Sequence, residues 1–223
     1  MTAKLWWMIR KDLLSEYRSR RTWPAMLLLG ILVAVVFTVQ MDLPPEGQRR
    51  IAGGLLWLAI LFAGVLALDR SFALESEDHC GEGLLLYPVS PTAVYLAKLL
   101  VNVFALAALE MILIPLFIAL SGVPLLAHPW ATLLVAGLGN VAICAIGTPL
   151  SALAAKIPER GNLSALLVFP LIIPVLLAAS EATRLIAEDR LGAEWWRWVQ
   201  FVAAFALVFL VSGTVLFDFL VED

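Results

Sequence analysis

DRSFALESEDHCGEGLLLYPVSPTAVYLAK, residues 69–98, is the longest interruption between two strongly apolar blocks of this chain. It opens on a charge pair, Asp69 and Arg70, and continues through the acids Glu75, Glu77, Asp78 and Glu82. It then turns into Leu84, Leu85 and Leu86, followed by Pro88 and Pro91. That order predicts a short cytoplasmic helix with a charged face and an apolar face. The prolines end it, because they lack the N–H that a helix interior needs. Between a second and a third membrane span, such a helix is a docking surface. The acids supply negative charge, and each leucine is worth roughly 1.5–3 kcal/mol if a partner buries it fully. The same residues also read as a solvated loop whose leucines rest on the bilayer.

The rest of the chain makes this a membrane protein. Of 223 residues, 62% are hydrophobic and 15% charged, against about 45–50% and about 25% in a soluble domain. Mean hydropathy is +0.94. A helix needs about 20 apolar residues to cross roughly 30 Å of hydrocarbon. Six segments qualify: 23–41, 51–68, 99–126, 130–155, 163–180 and 198–219. The expected fold class is an all-α membrane protein of six transmembrane helices, built as one permease domain over residues 1–223. The run 23–41 exceeds the about 7–15 residues of a cleavable signal core and ends in Thr38-Val39-Gln40-Met41, which is no small-residue cleavage pattern. It reads as an uncleaved first span. Pro115, Pro124, Pro149, Pro170 and Pro174 fall within spans, where neighbouring helices re-satisfy the freed carbonyls.

Orientation follows from Lys and Arg in the loops. With the N-terminus inside, ten of the 15 Lys and Arg residues are cytoplasmic, and both termini are too. Residues 3–21 carry Leu5, Ile9, Leu13 and Tyr17 at intervals of four, and Lys4, Lys11 and Arg18 at intervals of seven. This suits an interfacial helix over residues 1–22 lying on an anionic leaflet. A simple basic anchor is the alternative. The outer segment 181–197 ends in Trp195-Trp196-Arg197, followed by Trp198. Those rings suit the lipid–water interface, or else a platform for a flat aromatic ligand.

Few residues point to chemistry. Glu110 lies near the middle of the third span, where a carboxylate costs a few kcal/mol and faces the bundle interior or a partner. A structural polar contact and a transport-linked gating role both remain open for it, and Asp69 and Arg70 join it as candidate gating groups. Asn102 and Asn140 can bond between helices, and Gly147, Ser151 and Ala155 form a small-residue stripe that favours close packing. His128, on the outer side, is the better placed of two histidines for an axial heme ligand, though a loop histidine is usually just solvated. Cys80 and Cys144 form no CxxC pair, so neither a disulfide framework nor a metal site is expected. Gly81-Glu82-Gly83 is no phosphate loop. No catalytic residue is assigned and no enzyme activity is expected of the chain itself. A net charge of −3 neither favours nor excludes a nucleic-acid partner, and none is expected.

The second span ending in LALDRSF, then ESED, then EGLLLYPVSPTAVYLAKLL, resembles the cytochrome c maturation protein B family, the heme exporter protein B permeases. The match is specific over residues 53–101, where GGLLWLAILFAGVLALDR precedes the acidic cluster and YLAK. Many members carry an acid-Gly-x-Leu-Glu run before the leucines. Here Asp78 and Glu82 are kept, while His79 and Gly81 stand in the places of Gly and Leu.

What the resemblance implies is an ABC-2-type exporter permease in a bacterial cytoplasmic (inner) membrane. Residues 69–98 would hold a coupling helix seated in a groove of a separate ATPase subunit, CcmA, which binds the ATP. Asp78, Glu82, Leu84, Leu85, Leu86 and Pro88 would form that docking surface, and residues 1–22 an interfacial elbow. CcmC, CcmD and the periplasmic heme chaperone CcmE would be the further partners, beside the lipid bilayer, with heme as the cargo. The tryptophan-rich heme platform of the system belongs to CcmC, and Trp195-Trp196-Arg197 lacks the acid that follows in that motif. From the spans alone, an ABC exporter half for a drug, lipid or glycan stays open, as does a membrane scaffold.

Overall fold

The computed structural model describes residues 44–77, 91–155 and 163–222, together with residues 24, 27, 28, 30–33, 35 and 36. The described residues are helical apart from short connections. The long helices are α1 (Pro45–Glu77), α2 (Pro91–Ser121), α3 (Pro129–Ala155), α4 (Leu163–Ala187) and α5 (Ala193–Glu222). Each contains a stretch long and apolar enough to cross a membrane. The described residues between 24 and 36 are helical as well. The expected first span and interfacial helix lie largely outside the described residues, so the bundle seen here has five complete spans.

Proline starts three of these helices, at Pro45, Pro91 and Pro129. Its preset φ suits the first helical position, and the N–H it lacks would be unpaired there anyway. Pro91 therefore opens a span instead of closing a loop helix. Two expected boundaries move as a result. The second span continues as helix through Asp69 and Arg70 to Glu77, and the third begins eight residues earlier than hydropathy suggested. Lys98, expected in a loop, sits inside α2 and is buried. The third span also ends early: Gly122 adopts φ 66°, and Pro124 lies in the connection, not in the span. A short 3-10 turn, Leu125–Ala127, leads into α3.

At the other hairpin of the same end, α4 runs on to Ala187 and takes in Glu181 and Arg184. Asp189, at φ 58°, ends it. Its N–H donates to the Ile186 carbonyl (3.1 Å), and the Arg190 N–H reaches back to that of Leu185 (2.9 Å). This is the Schellman pattern with aspartate in the place where glycine is usual; Asp and Asn tolerate that left-handed conformation better than most residues.

The helix α3 occupies the centre. It packs against α1, α2, α4 and α5, which surround it in the order α1, α2, α5, α4. Its stretch Ala142, Ile143, Cys144, Ala145 and Ile146 is sealed from all sides. Apolar side chains on the outer faces, such as Phe104 and Met111 on α2, Leu177 on α4 and Leu207 and Val211 on α5, remain exposed. They form the surface that lipid tails would cover.

Close packing at the centre depends on missing side chains. The Trp57 ring of α1 lies directly over Gly139 of α3, where an added Cβ would overlap it. Trp57 Nε1 then reaches past α3 to donate to Thr183 Oγ1 on α4 (2.9 Å), which itself donates to the Ala179 carbonyl (2.8 Å). Gly147 of the small-residue stripe is covered in the same way by Leu68. Gly137, two residues before Gly139, faces open space. Gly139→Ala is therefore expected to lower the melting temperature of the purified protein, and Gly137→Ala to raise it slightly. The second change gains helix propensity of about 0.5–1 kcal/mol with nothing to displace. Equal shifts in both variants would contradict the packing described.

Candidate functional site: a buried polar seam between α2 and α3

Glu110 lies 11 residues before the end of α2, and Asn140 11 residues after the start of α3. At 1.5 Å per residue, both lie roughly 16 Å from the α2–α3 connection, near the middle of a hydrocarbon layer about 30 Å thick. Both are buried. Asn140 Nδ2 donates to Glu110 Oε2 (3.3 Å) and to the Val103 carbonyl (3.1 Å). Cys144 Sγ donates to Asn140 Oδ1 (3.4 Å). Two turns further along the seam, Asn102 Nδ2 donates to Thr148 Oγ1 (3.1 Å).

The two contacts share one antiparallel register: eight residues back on α2 match eight residues forward on α3. Asn140, Cys144 and Thr148 recur every four residues, which stacks them on one helix face. The sequence named Glu110, Asn102 and Asn140 separately. It missed Thr148 and Cys144 as their partners, although the interval of four was there to be read.

The seam has unspent capacity. Glu110 Oε1 and Ser151 Oγ are buried and make no hydrogen bond among the described residues. In hydrocarbon such groups cost more than in water, so they mark places where water or another donor belongs.

The opposite feature is the loop end of the bundle. His128 Nε2 pairs with Asp189 Oδ1 (2.5 Å), clasping the α2–α3 connection to the α4–α5 connection. With that nitrogen engaged, an axial ligand role for His128 would require breaking the clasp or using Nδ1. Beside it, Arg184 makes a two-point contact with Glu181 (3.0 and 2.5 Å) and bonds Glu188 (2.7 Å). Arg190 bridges Glu188 (3.4 Å) and Glu194 (3.0 Å), stitching the end of α4 to the start of α5. Trp195 departs from the expected interfacial belt. It is 0% exposed and wedged edge-on between Trp130 (5.3 Å between centroids) and Trp196 (5.0 Å), whose rings are the exposed ones.

Among the described residues, no group of three or more His, Cys, Asp or Glu could hold a metal ion. Asp69 and Arg70 lie within α1, and their side chains are outside the described residues. So are Asp78, Glu82, Leu84, Leu85, Leu86 and Pro88, the expected docking surface.

A family model described as CcmB protein matches residues 3–219. The heme exporter protein B of Rhodobacter capsulatus is 35% identical over 162 residues, covering 72% of this chain and 74% of that protein. That of Paracoccus denitrificans is 33% identical over 188 residues (82% and 84%). That of Escherichia coli K12 is 31% identical over 177 residues (79% and 80%). The match runs from the N-terminal segment through the last span, and the chain belongs to the CcmB family.

Proposed function

We propose that this chain is the membrane permease subunit of an ABC transporter complex used in c-type cytochrome biogenesis. ATP hydrolysis by a partner subunit of the CcmA type drives it, and the work is heme export or release of the heme-loaded periplasmic chaperone, CcmE. The observation that carries this reading is the family match over residues 3–219, strengthened by relatives named heme exporter protein B that align over most of their own length. The all-helical bundle with five complete apolar spans suits a permease, and the sequence offers no nucleotide-binding loop.

Mechanically, the segment between α1 and α2 joins two long helices that both pack on α3. Closure of a partner ATPase dimer against residues 78–88 would tilt α1 and α2 as levers about the central helix. In this reading Asp69 and Arg70, at the inner end of α1, and Glu110, in the α2/α3 seam, are the groups that such a tilt would rearrange. The complex sits in the bacterial inner membrane with both termini cytoplasmic, and CcmC and CcmD complete it.

The test is genetic and biochemical at once. Deleting the gene is expected to abolish heme-stained c-type cytochromes, and a tagged copy to restore them. That copy should also carry an ATPase and heme-handling proteins through purification in mild detergent. Wild-type cytochrome levels in the deletion strain would overturn the reading. Capture of an ATPase without heme-handling proteins would point to a different cargo.

A further inference from the structure

The α2/α3 seam is more polar in one half than in the other. From Glu110 and Asn140 toward the α2–α3 connection, the two helices bury Leu113 and Phe117 on one side and Ala131 and Val135 on the other, and the buried Thr132 spends its hydroxyl on the Leu125 carbonyl (2.9 Å). In the other direction they bury Lys98, Asn102, Thr148, Cys144 and Ser151. The register that pairs Glu110 with Asn140 and Asn102 with Thr148 brings Ser151 level with Lys98 and Leu99. Ser151 is 11 residues from Asn140, about 16 Å along α3. The two unsatisfied oxygens of the seam therefore sit at the two ends of the polar half: Ser151 Oγ at the end farther from the α2–α3 connection and Glu110 Oε1 at the nearer one.

A carboxylate in this position is poorly served. Among the described residues one amide donates to it, at 3.3 Å, and no cation pairs with it. The charged form is then costly in the hydrocarbon layer. A neutral carboxyl has an O–H to donate, and a water at Oε1 would accept it. The surrounding helices add little charge. Cys144 is the only titratable side chain on the facing helix α3. On α1 there is none between Arg50 and Asp69, on α5 none between Arg197 and Asp218, and none in the first apolar segment from residue 24 to 36. On α2 itself the others are Tyr95 and Lys98, at least three turns away.

We propose that the polar half-seam is a proton path ending on Glu110. The carboxyl exchanges its proton with water that enters past Ser151, Thr148 and Asn102, while Leu113 and Phe117 close the far end. In release, the Glu110 O–H bond breaks, its electron pair stays on the carboxylate, and the proton passes to a water oxygen. The Asn140 amide and that water then hold the anion. Uptake is the reverse, so nothing is oxidised and no further reactant is needed. The proposal stands apart from the heme reading, because it concerns an equilibrium of the isolated chain.

The experiment is infrared difference spectroscopy on the purified protein in lipid nanodiscs, between mildly acidic and mildly alkaline buffer. The wild-type protein is expected to show a buried protonated carboxyl stretch that disappears in alkali and shifts in D2O. Glu110→Gln, which keeps an oxygen for Asn140 to donate to, should lose that band. Glu110→Asp should displace it, which covers the case of a poorly folding amide variant. Ser151→Leu, placing an apolar side chain at the start of the path, should slow deuteration of the same carboxyl. A spectrum without a titrating carboxyl, or one unchanged by both Glu110 substitutions, overturns the proton site. Unaltered deuteration in Ser151→Leu overturns the path.

Discussion

Replacing Gly53 by leucine is expected to leave no recoverable folded protein, while the same change at Gly54 leaves the yield and melting temperature close to those of the wild type. The two glycines are neighbours in α1, yet they meet different surroundings. A Cβ at Gly53 would overlap the backbone carbonyl oxygen of Ser180 and come within 3.0 Å of its carbon and 3.2 Å of the Arg184 nitrogen. Those atoms belong to the α4 ladder and cannot rotate away as a side chain can. At Gly54 a Cβ would meet only Ser180 Oγ, at an ordinary 3.5 Å.

Overpacking against mobile side chains typically costs about 1–3 kcal/mol. Here the helix axes themselves must separate. Separation would also draw Trp57 away from Thr183 one turn further along. Helix association in lipid lacks a hydrophobic driving force and relies on close contact between small residues, so lost contact at this crossing is not recovered elsewhere. Size-exclusion profiles and thermal melts of the two variants in one detergent decide the matter. Similar behaviour of Gly53→Leu and Gly54→Leu would mean that α1 and α4 do not cross as described.

The second large effect concerns Leu85→Asp. It is expected to cut capture of the ATPase subunit by well over tenfold and to lower c-type cytochrome content accordingly, with membrane insertion and melting temperature unchanged. A fully buried leucine contributes roughly 1.5–3 kcal/mol, and 1.4 kcal/mol is already tenfold in affinity. A carboxylate set into an apolar groove adds its own desolvation cost. Residue 85 lies between the end of α1 at Glu77 and the start of α2 at Pro91, outside both spans, which is why insertion should not change. Quantifying the ATPase that co-purifies with the wild-type and variant chains gives the answer. Full ATPase recovery by Leu85→Asp would remove residues 78–88 from the docking surface and leave the family membership untouched.

The sequence by itself determined the class of the molecule. An apolar content of 62% with few charges can be buried only in lipid or in a bundle that lipid surrounds. The central positions of the spans followed from the same signal, and the residues 53–101 pointed to the family that the comparison later established. Span ends were less legible. Hydropathy measures where lipid tolerates a residue, whereas a helix ends where its backbone bonds end. Hence α1 passes its apolar limit to reach Glu77, α2 takes in Lys98, and α4 carries Arg184 together with Glu181.

Only the tertiary structure decided which polar residues act together. Glu110, Asn102 and Asn140 each looked like a lone polar group, because hydropathy carries no information on the register between two helices. Packing α2 antiparallel to α3 sets that register, pairs the amides with Glu110 and Thr148, and leaves Glu110 Oε1 and Ser151 Oγ unsatisfied. The same holds for Trp195. Three tryptophans within four residues suggest an interfacial belt, but a helix turns by about 100° per residue. Adjacent rings therefore face different ways: Trp195 enters the core against Trp130, and Trp196 is left at the surface.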